Sequence, residues 1–391
     1  MDWKALGRRG CNAMHAAMVA GTVMLAAGAV GGTRLQAETC TTQSQMTPAD
    51  RDALAAAGRS FAQMVQSNDA AGLRAVTIPQ YAQNFDGIAS AVAGTAPKVK
   101  GATLIVRSVY LLDASNLKSA SEGNLPTAQF YCTLNNSPAE TSFIIPGLPP
   151  GRYGLVMVQT TGTPAPWQMT FVVQQLGGTT AAGRQPMQQP GQQASQGQWR
   201  LAGLVPKPLT AAGHDGVWYW TQAREYAKKG ERWNASLYYQ TAQSLLMPVD
   251  FVSSTNGEKL HTEAQAVRPA ELQNRPSATQ PFSLKGKSES YVITSVATDD
   301  ALGGLDVVLH VVAADTSDPV ATRQRNIKVM QAILADYPEL TQAFHGLWIF
   351  ADSASGNSFA TELQMASINT QAMLHEGVQI GRAQFAEVAG Y

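Results

Sequence analysis

The sequence contains little charge for its length. Only 14% of its 391 residues are Asp, Glu, Lys or Arg, well below the quarter that is usual in globular proteins. Its 28 basic residues balance its 28 acidic residues, so the charge gives no reason to expect nucleic acid or an acidic membrane as the main partner. No short repeat runs through the chain and its apolar fraction of 45% is ordinary, which excludes collagen, a coiled coil and wholesale disorder. This length predicts roughly two or three domains.

The sequence also lacks the motifs of well-known catalytic sites. It has no Gly-x-Ser-x-Gly elbow, no Walker motif and no zinc-type cysteine spacing. Five of its six histidines lie after residue 200, and none stands four residues from another as a metal clip would require: His214, His261, His310, His345 and His375. These absences predict no cofactor and no metal, and they favour binding over catalysis. His310 lies in an apolar stretch, which predicts a hydrogen-bonded core histidine.

The first forty residues have the pattern of a secretory signal. Basic residues precede an uncharged, Ala-rich run over 13–30, and small residues lead to a cut after Ala37. We predict that residues 1–37 are a signal peptide and that the mature protein is exported to a bacterial-type periplasm. An uncleaved membrane anchor is the alternative, because a run of 18 residues reaches the lower limit for spanning a bilayer.

Only three cysteines occur in the chain, and removal of the leader takes Cys11 with it. The remaining pair, Cys40 and Cys132, would then enter an oxidising compartment in which disulfides persist. The sequence therefore predicts a Cys40–Cys132 disulfide that fixes the mature N-terminus to the strand around Cys132. Two unrelated thiols are the alternative.

Residues 38–210 contain helix patterns first and strand patterns afterwards, which predicts an α+β domain. Thr47 and Pro48 are typical of a helix start, and an apolar spacing of three and four residues predicts an amphipathic helix over 48–66. Shorter helices are predicted over 69–76 and 81–93. The predicted strands are 102–112, 127–134, 141–145, 153–160, 167–175 and 199–205. The Gln- and Gly-rich segment 177–198 has no apolar face, which predicts a disordered loop.

Helices followed by antiparallel strands, the last of which contains residues 199–204 (WRLAGL), resemble the NTF2-like superfamily of cone-shaped α+β domains. The resemblance covers about residues 48–207 and implies a curled antiparallel sheet around the long helix, with a pocket between them. It also implies that an enzyme would use an Asp-His or Tyr-Asp constellation in that pocket. Residues 38–207 contain no histidine, and Tyr110 with Asp113 at a strand exit is more typical of a packing ring and a turn cap.

Residues 211–268 predict a helical hairpin with its turn at Gly230. The small and aromatic residues of a tetratricopeptide repeat fall at the expected offsets, at Tyr219, Ala223, Tyr226, Ala235 and Tyr239. The segment therefore resembles a single tetratricopeptide-like hairpin. A solenoid needs about three such units, so this one is expected to pack on its neighbours or on a partner.

The hairpin has a dense stripe of aromatic residues: Trp218, Tyr219, Trp220, Tyr226, Trp233, Tyr238 and Tyr239. Two roles fit this stripe. The rings either hold the flanking domains together or form a candidate interaction surface for a peptide.

The rest of the chain predicts a polar linker over 269–281, a second α+β domain over 282–366 and a polar tail over 367–391. A helix that begins at Asp318 is flanked by strands predicted at 290–296, 305–312, 346–351 and 358–364. This order predicts a two-layer sandwich. The acidic residues in its loops lack the spacing of a calcium loop, which predicts turn and cap roles for Asp299, Asp300, Asp315 and Asp318.

These features predict an exported, non-catalytic binding or scaffolding protein of the cell envelope that contacts a protein or a small ligand. The alternatives are an isomerase- or hydrolase-like pocket enzyme in the NTF2-like domain, and a membrane-tethered envelope protein. A pocket enzyme requires polar side chains that converge inside the first domain, whereas a scaffold requires a closed or apolar interior and exposed aromatic residues.

Overall fold

The computed structural model describes residues 38–117, 127–133, 140–177 and 197–368. Within these ranges the chain forms helices and several mainly antiparallel sheets, which confirms the predicted α+β class. It divides into two compact units. The first runs to Lys207 and includes residues 248–255, and the second comprises residues 208–247 and the chain from Asn256 onwards. The predicted signal peptide (1–37), most of the predicted loop (177–198) and most of the predicted tail (367–391) lie outside the described residues.

The chain contains both helices and strands throughout its described length. Its first elements are β1 (Thr39–Thr42), α1 (Pro48–Gln66), α2 (Ala70–Ala75), α3 (Pro79–Ala82), α4 (Asp86–Val99), β2 (Thr103–Asp113), β3 (Ala128–Thr133), β4 (Glu140–Ile145), β5 (Arg152–Thr161), β6 (Trp167–Leu176) and β7 (Gln198–Pro208). The later elements are β8 (Thr210–Ala211), β9 (His214–Asp215), α5 (Gly216–Lys229), α6 (Arg232–Leu246), β10 (Val252–Ser254), α7 (Thr255–Val267), a 3-10 turn at Ala270–Leu272, β11 (Phe282–Lys285), β12 (Ser290–Asp299), β13 (Asp306–Ala313), α8 (Pro319–Asp336), α9 (Leu340–Ala343), β14 (Gly346–Ser353) and β15 (Ser358–Gln364).

The first unit is built on helix α1, which has the bounds that the sequence predicts. Thr47 caps the helix by accepting a hydrogen bond from the backbone N–H of Asp50 at 3.1 Å, and Pro48 supplies a backbone angle suited to the first turn. The apolar side of α1 is buried. Gly58 has no room for a side chain against Val156 of β5, so helix and sheet approach closely there.

The strands of the first unit form two sheets, where the resemblance implies one curled sheet. Five strands run in the order β1-β2-β5-β6-β7. Strands β3 and β4 are not part of this sheet. They form a second sheet with β10, in the order β10-β4-β3. Strand β10 follows the hairpin in the chain, and its Val252 pairs with Phe143 of β4.

A disulfide between Cys40 and Cys132 joins the two sheets. Cys40 lies on β1 of the five-stranded sheet and Cys132 on β3 of the three-stranded sheet. Their Cα atoms are 5.3 Å apart, and Cys132 is buried. The predicted pairing is confirmed.

The helix predicted over 81–93 is instead two helices, α3 and α4. Helix α4 continues to Val99 because Val92, Ala96 and Val99 keep a helical spacing and are buried. Pro97 lies in its last turn. The predicted end of the helix was therefore six residues too early at Ala93.

The second unit contains a five-stranded sheet ordered β11-β12-β13-β14-β15. Strands β13 and β14 are parallel, and the other neighbours are antiparallel. Parallel neighbours need a crossover connection, which α8 and α9 provide. Asp318 caps α8 by accepting hydrogen bonds from the backbone N–H groups of Val320 and Ala321 at 2.9 and 3.1 Å, at the start that the sequence predicts.

Helix α8 and the hairpin α5–α6 cover one face of this sheet. Asn326 of α8 donates a hydrogen bond to the carbonyl oxygen of Ile349 at 3.2 Å, and the hydroxyl oxygens of Thr241 on α6 and Thr298 on β12 are 2.7 Å apart. Alternate residues of the central strands are buried on this side: Val307, Leu309, Val311, Leu347, Ile349 and Ala351. The residues between them lie on the opposite side, which we term the outer face.

Candidate functional site

The interior of the first unit is filled with apolar side chains. Helix α1 and the five-stranded sheet share a buried core that includes Leu54, Phe61, Val156, Met169 and Phe171. The ring centroids of Phe61 and Phe171 are 5.9 Å apart. The NTF2-like resemblance, which stays a prediction, implies a pocket between helix and sheet. In the structure, apolar side chains fill that space.

Tyr110 and Asp113, the pair considered from the sequence for acid–base chemistry, have structural contacts. The Tyr110 ring packs edge-on against Phe143 with centroids 5.2 Å apart, and burial raises the pKa of its phenol. Asp113 accepts a hydrogen bond from the backbone N–H of Ser115 at 2.9 Å, and its carboxylate lies 4.0 Å from Arg152. Packing and turn capping account for both residues.

A small cavity of about 30 Å³ lies beside Tyr81, Tyr153 and Gln174, with room for about one water molecule. The Tyr153 hydroxyl donates a hydrogen bond to the carbonyl oxygen of Pro149 at 2.8 Å and accepts one from Gln174 at 3.2 Å. Burial, followed by the effect of Tyr81, raises the pKa of Tyr153, so its phenol stays protonated at neutral pH. The described residues that line this cavity include no carboxylate or histidine that could act as a base.

A wider groove of about 530 Å³ lies where β1 and β2 approach the start of α1. Its described lining includes Arg51, Ser108 and Tyr110 and contains no carboxylate or histidine. The Arg51 guanidinium lies 3.3 Å from Asp52. The groove thus lacks an acid–base pair among the residues that the structure describes.

Four of the seven aromatic residues of the hairpin stripe are buried. Tyr219, Trp233, Tyr238 and Tyr239 belong to the core that the hairpin shares with the sheet of the second unit. The Tyr219 hydroxyl donates a hydrogen bond to the carbonyl oxygen of Ala211 at 2.8 Å. A buried ring has no face for a partner, so these four residues are removed from the candidate interaction surface.

The other three rings, Trp218, Trp220 and Tyr226, are partly buried and pack against the same core. The Trp220 indole Nε1 donates to the Glu263 carboxylate at 2.7 Å. Trp218 stacks on His214 with centroids 3.7 Å apart. These contacts favour packing over peptide binding as the role of the stripe.

The buried tyrosines predict a loss of stability at alkaline pH. Burial, with a smaller effect of nearby carboxylates, raises the pKa of Tyr219 to about 12 and that of Tyr239 to about 12. Both titrate near 10 in an unfolded chain, so the native state binds these protons more tightly than the unfolded chain does. The resulting stabilisation of the native state is complete below pH 10 and is lost as the pH rises towards 12. We expect the urea midpoint to fall steeply over that window. Tyr219→Phe should flatten the fall, whereas Tyr131→Phe, at a residue that is 64% exposed, should not; equal slopes in all three proteins would contradict the explanation.

Two histidines contact carboxylates around the outer face of the C-terminal sheet. His310 Nδ1 lies 2.7 Å from Asp352, and His345 Nδ1 lies 3.0 Å from Asp306. An ionised carboxylate only accepts hydrogen bonds, so each Nδ1 carries a proton. The predicted hydrogen bond of His310 is confirmed, but its side chain is 38% exposed, so the predicted core location is wrong. His214 and His261 are exposed, and His375 lies outside the described residues.

A row of three flat rings crosses the outer face. The Phe350 centroid is 4.8 Å from that of His310 and 6.0 Å from that of Trp348, with interplanar angles of 12° and 14°. Trp348 and Phe350 alternate with core residues along β14, and His310 is opposite Phe350 on β13. All three side chains are partly exposed. We term these three residues the aromatic row.

Hydrogen bonds fix both ends of the aromatic row. The Trp348 Nε1 donates to Asp306 Oδ2 at 3.0 Å, and Asp306 is fully buried. At the other end Asp352 accepts hydrogen bonds from His310 and from the Ser358 hydroxyl, the latter at 2.6 Å. Rings that are already fixed lose little conformational entropy when they bind a partner.

Small side chains lie beside the aromatic row. Ala360 of β15 is opposite Phe350, and Ser295 of β12 is opposite His310. Gly346 precedes the row on β14, and a Cβ there would lie 3.0 Å from the Asp306 carboxylate. The outer face therefore presents flat aromatic rings that have small side chains beside them.

Glu362 on β15 is opposite Trp348 and lies in an unusual electrostatic environment. Its Oε1 is buried and has no hydrogen-bond partner among the described residues. Burial, and then the charge of Asp306, raise the pKa of Glu362, while His345 and Arg323 oppose that change. Raised pKa values within clusters of charged groups are common at functional sites.

Three of the four acidic loop residues have the predicted turn and cap contacts. Asp299, Asp315 and Asp318 each accept a hydrogen bond from the backbone N–H two residues later, at 2.7 to 2.9 Å. Asp300 instead accepts a hydrogen bond from the backbone N–H of Ala212 at 2.7 Å, which is a contact between distant parts of the sequence and not the predicted turn or cap contact. In the described part of the chain, no group of three or more His, Cys, Asp or Glu side chains is placed to hold a metal ion.

Sequence reasoning predicts strand β14 but misses the aromatic row. The signal is the alternation of Trp348, Phe350 and Asp352 along one side of the strand. The residues between them are also apolar, so the strand has the pattern of one buried on both faces. The pairing of β14 with β13, which brings His310 beside Phe350, has no signal in the local sequence.

Comparison with known proteins gives no relative: the chain matches no protein-family model, no curated protein and no solved structure. Among the helices of the described ranges, none has the length and hydropathy needed to cross a membrane. Function is therefore inferred from the geometry of the site.

Proposed function

We propose that this protein is an exported, non-catalytic binding or scaffolding protein of the cell envelope, and that its aromatic row contacts a partner protein. The proposal rests on the row itself, three nearly parallel and partly exposed rings of which the two at the ends are held in place by hydrogen bonds. Aromatic side chains are enriched among the residues that contribute most to protein interfaces, and strands position them more accurately than loops do.

The filled interior of the first unit supports binding over pocket catalysis. Its core is apolar, and the tyrosine beside its small cavity stays protonated at neutral pH. A pocket enzyme needs polar side chains that converge on a space large enough for a substrate. The side chains between α1 and the sheet do not provide that arrangement.

The Cys40–Cys132 disulfide supports the export part of the proposal, because disulfides persist in oxidising compartments. The test is an intact mass of the protein expressed with its own leader and recovered from the periplasmic fraction. We expect the mass of a chain that begins at Glu38 and has lost two hydrogens at the cysteines. A full-length mass found only in the membrane fraction would favour the tethered alternative.

Site-specific photo-crosslinking tests the binding face. Val312 lies on the outer face opposite Asp352 and is 45% exposed, whereas Val320 is 63% exposed at the start of α8, which packs on the other face. A benzophenone amino acid at Val312 should give a discrete protein adduct in intact cells, and the same group at Val320 should not.

The adduct should also depend on the aromatic row. Combining the Val312 probe with Trp348→Ala and Phe350→Ala should abolish it while leaving the circular dichroism spectrum unchanged. An adduct that survives both alanine substitutions, or adducts of equal yield from the two valine positions, would show that another surface makes the contact.

A further inference from the structure

We propose that the aromatic row binds a planar cation, the guanidinium group of an arginine side chain in a partner polypeptide. This inference rests on the proposed function, because it names the chemistry that the same face recognises. Three observations support it: the geometry of the rings, the charges around them and an internal example in the hairpin.

The ring geometry fits a flat cation. The ring planes of His310 and Trp348 are tilted by only 12° and 14° from the plane of Phe350. The face of an aromatic ring attracts a cation, and a guanidinium is planar and weakly hydrated, so it stacks more readily than an ammonium does. Because His310 stacks on Phe350 with centroids 4.8 Å apart, the guanidinium is expected to lie over Trp348, the ring at the end of the row.

The charges around the rings favour a cation over an anion. The outward positions of β13, β14 and β15 include Asp306, Asp352 and Glu362, and no lysine or arginine. Glu362 is directly opposite Trp348 on β15, and Asp352 lies at the other end of the row, two residues after Phe350. Complementary charge of this kind selects a basic partner and disfavours a phosphate-bearing one.

The hairpin of the same protein contains an internal example of this arrangement. The Trp220 Nε1 donates to the Glu263 carboxylate at 2.7 Å, just as the Trp348 Nε1 donates to Asp306 at 3.0 Å. A third residue, Arg224, completes the arrangement at Trp220. Its guanidinium lies 4.4 Å from the centroid of the Trp220 ring and also binds Glu263. On the outer face the tryptophan and the carboxylates are present, and the arginine would come from the partner.

A bound guanidinium would also stabilise the ionised form of Glu362. The charged or titratable groups near that carboxylate are Asp306, His345 and Arg323, and burial together with Asp306 raises its pKa. A cation opposes both effects, so binding releases a proton from Glu362 and becomes tighter as the pH rises.

The test is a titration of the ¹⁵N-labelled full chain, followed at the indole N–H signal of Trp348, which Trp348→Phe assigns. The probes are acetyl-Gly-Arg-Gly-amide and its citrulline counterpart, which has the same shape without the charge. We expect the arginine peptide to bind about fivefold to tenfold more tightly than the citrulline peptide. The preference should be smaller at pH 5 than at pH 8.

Matched variants locate the effect. Glu362→Gln with Asp352→Asn should remove the preference for arginine, whereas Glu225→Gln, at an exposed acid on α5, should leave it unchanged. Equal binding of the arginine and citrulline peptides, or a shift of the Trp218 and Trp220 signals in place of Trp348, would overturn the inference. Saturable binding of a neutral oligosaccharide such as chitotriose with no response to arginine would overturn it too, in favour of a carbohydrate partner.

The two proposals fail in different ways. A crosslinked adduct from Val312 together with equal arginine and citrulline binding would retain the interaction face and reject the guanidinium. Arginine selectivity at Trp348 without any Val312 adduct in cells would retain the cation site and reject its use in contacting a protein partner.

Discussion

Replacing Cys40 and Cys132 with serine is expected to lower the free energy of unfolding of the first unit by about 2 to 5 kcal/mol. The bond closes a loop with a sequence separation of 92 residues, and loops of that length restrict the unfolded chain strongly. It also joins β1 to β3, which lie in different sheets, so its loss removes a covalent connection between those sheets.

Urea unfolding of the wild-type protein with and without reductant provides the measurement. The oxidised protein should unfold at a higher urea concentration than the reduced one, and Cys40→Ser/Cys132→Ser should match the reduced protein under both conditions. An unfolding midpoint in the double variant equal to that of the oxidised wild type would mean that the bond contributes nothing to stability.

Phe171→Ala is expected to destabilise the first unit by about 3 to 5 kcal/mol. Phe171 is fully buried between α1 and the five-stranded sheet and packs against Phe61. The substitution removes the ring from the place where the NTF2-like resemblance implies a pocket. The cost combines lost burial with the cavity that the surrounding side chains leave unfilled.

Two measurements make this prediction sharp. Tyr131→Ala removes an aromatic ring from the same unit at a residue that is 64% exposed, and it should change the free energy of unfolding by less than about 0.5 kcal/mol. Benzene should bind to the Phe171→Ala variant and raise its unfolding temperature, because a dry apolar cavity accepts such ligands. A loss below about 1 kcal/mol with no benzene effect would mean that this interior is not tightly packed.

Elements with a strong local signal could be predicted from the sequence. Helix α1 has both a capping threonine and an apolar spacing, and α8 has a capping aspartate followed by proline. Strands β1, β10 and β11 have three or four residues each, and no pattern in the local sequence predicts them. Such segments become strands because a neighbour supplies hydrogen bonds, as Leu112 does for Cys40, and no pattern within the segment specifies that neighbour.

The candidate site could not be predicted from the local sequence either, but for a different reason. A stripe of aromatic residues in the hairpin is obvious in the sequence, yet Tyr219, Trp233, Tyr238 and Tyr239 are core residues because the sheet covers them. The aromatic row has only two aromatic residues on one strand and a histidine from another. Which of the two groups faces outward depends on where α6 and α8 pack, and that is a property of the tertiary structure.

The position of β10 determines when the first unit can be completed during synthesis. A chain is synthesised from its N-terminus, so β3 and β4 are available long before residues 252–254, which follow the whole hairpin. Until then the edge of β4 that includes Phe143 has no partner strand, and an unpaired edge is a template for association with other chains. A polypeptide that ends near residue 210 therefore lacks a structural part of its own first unit, and the hairpin must be synthesised before that unit is finished.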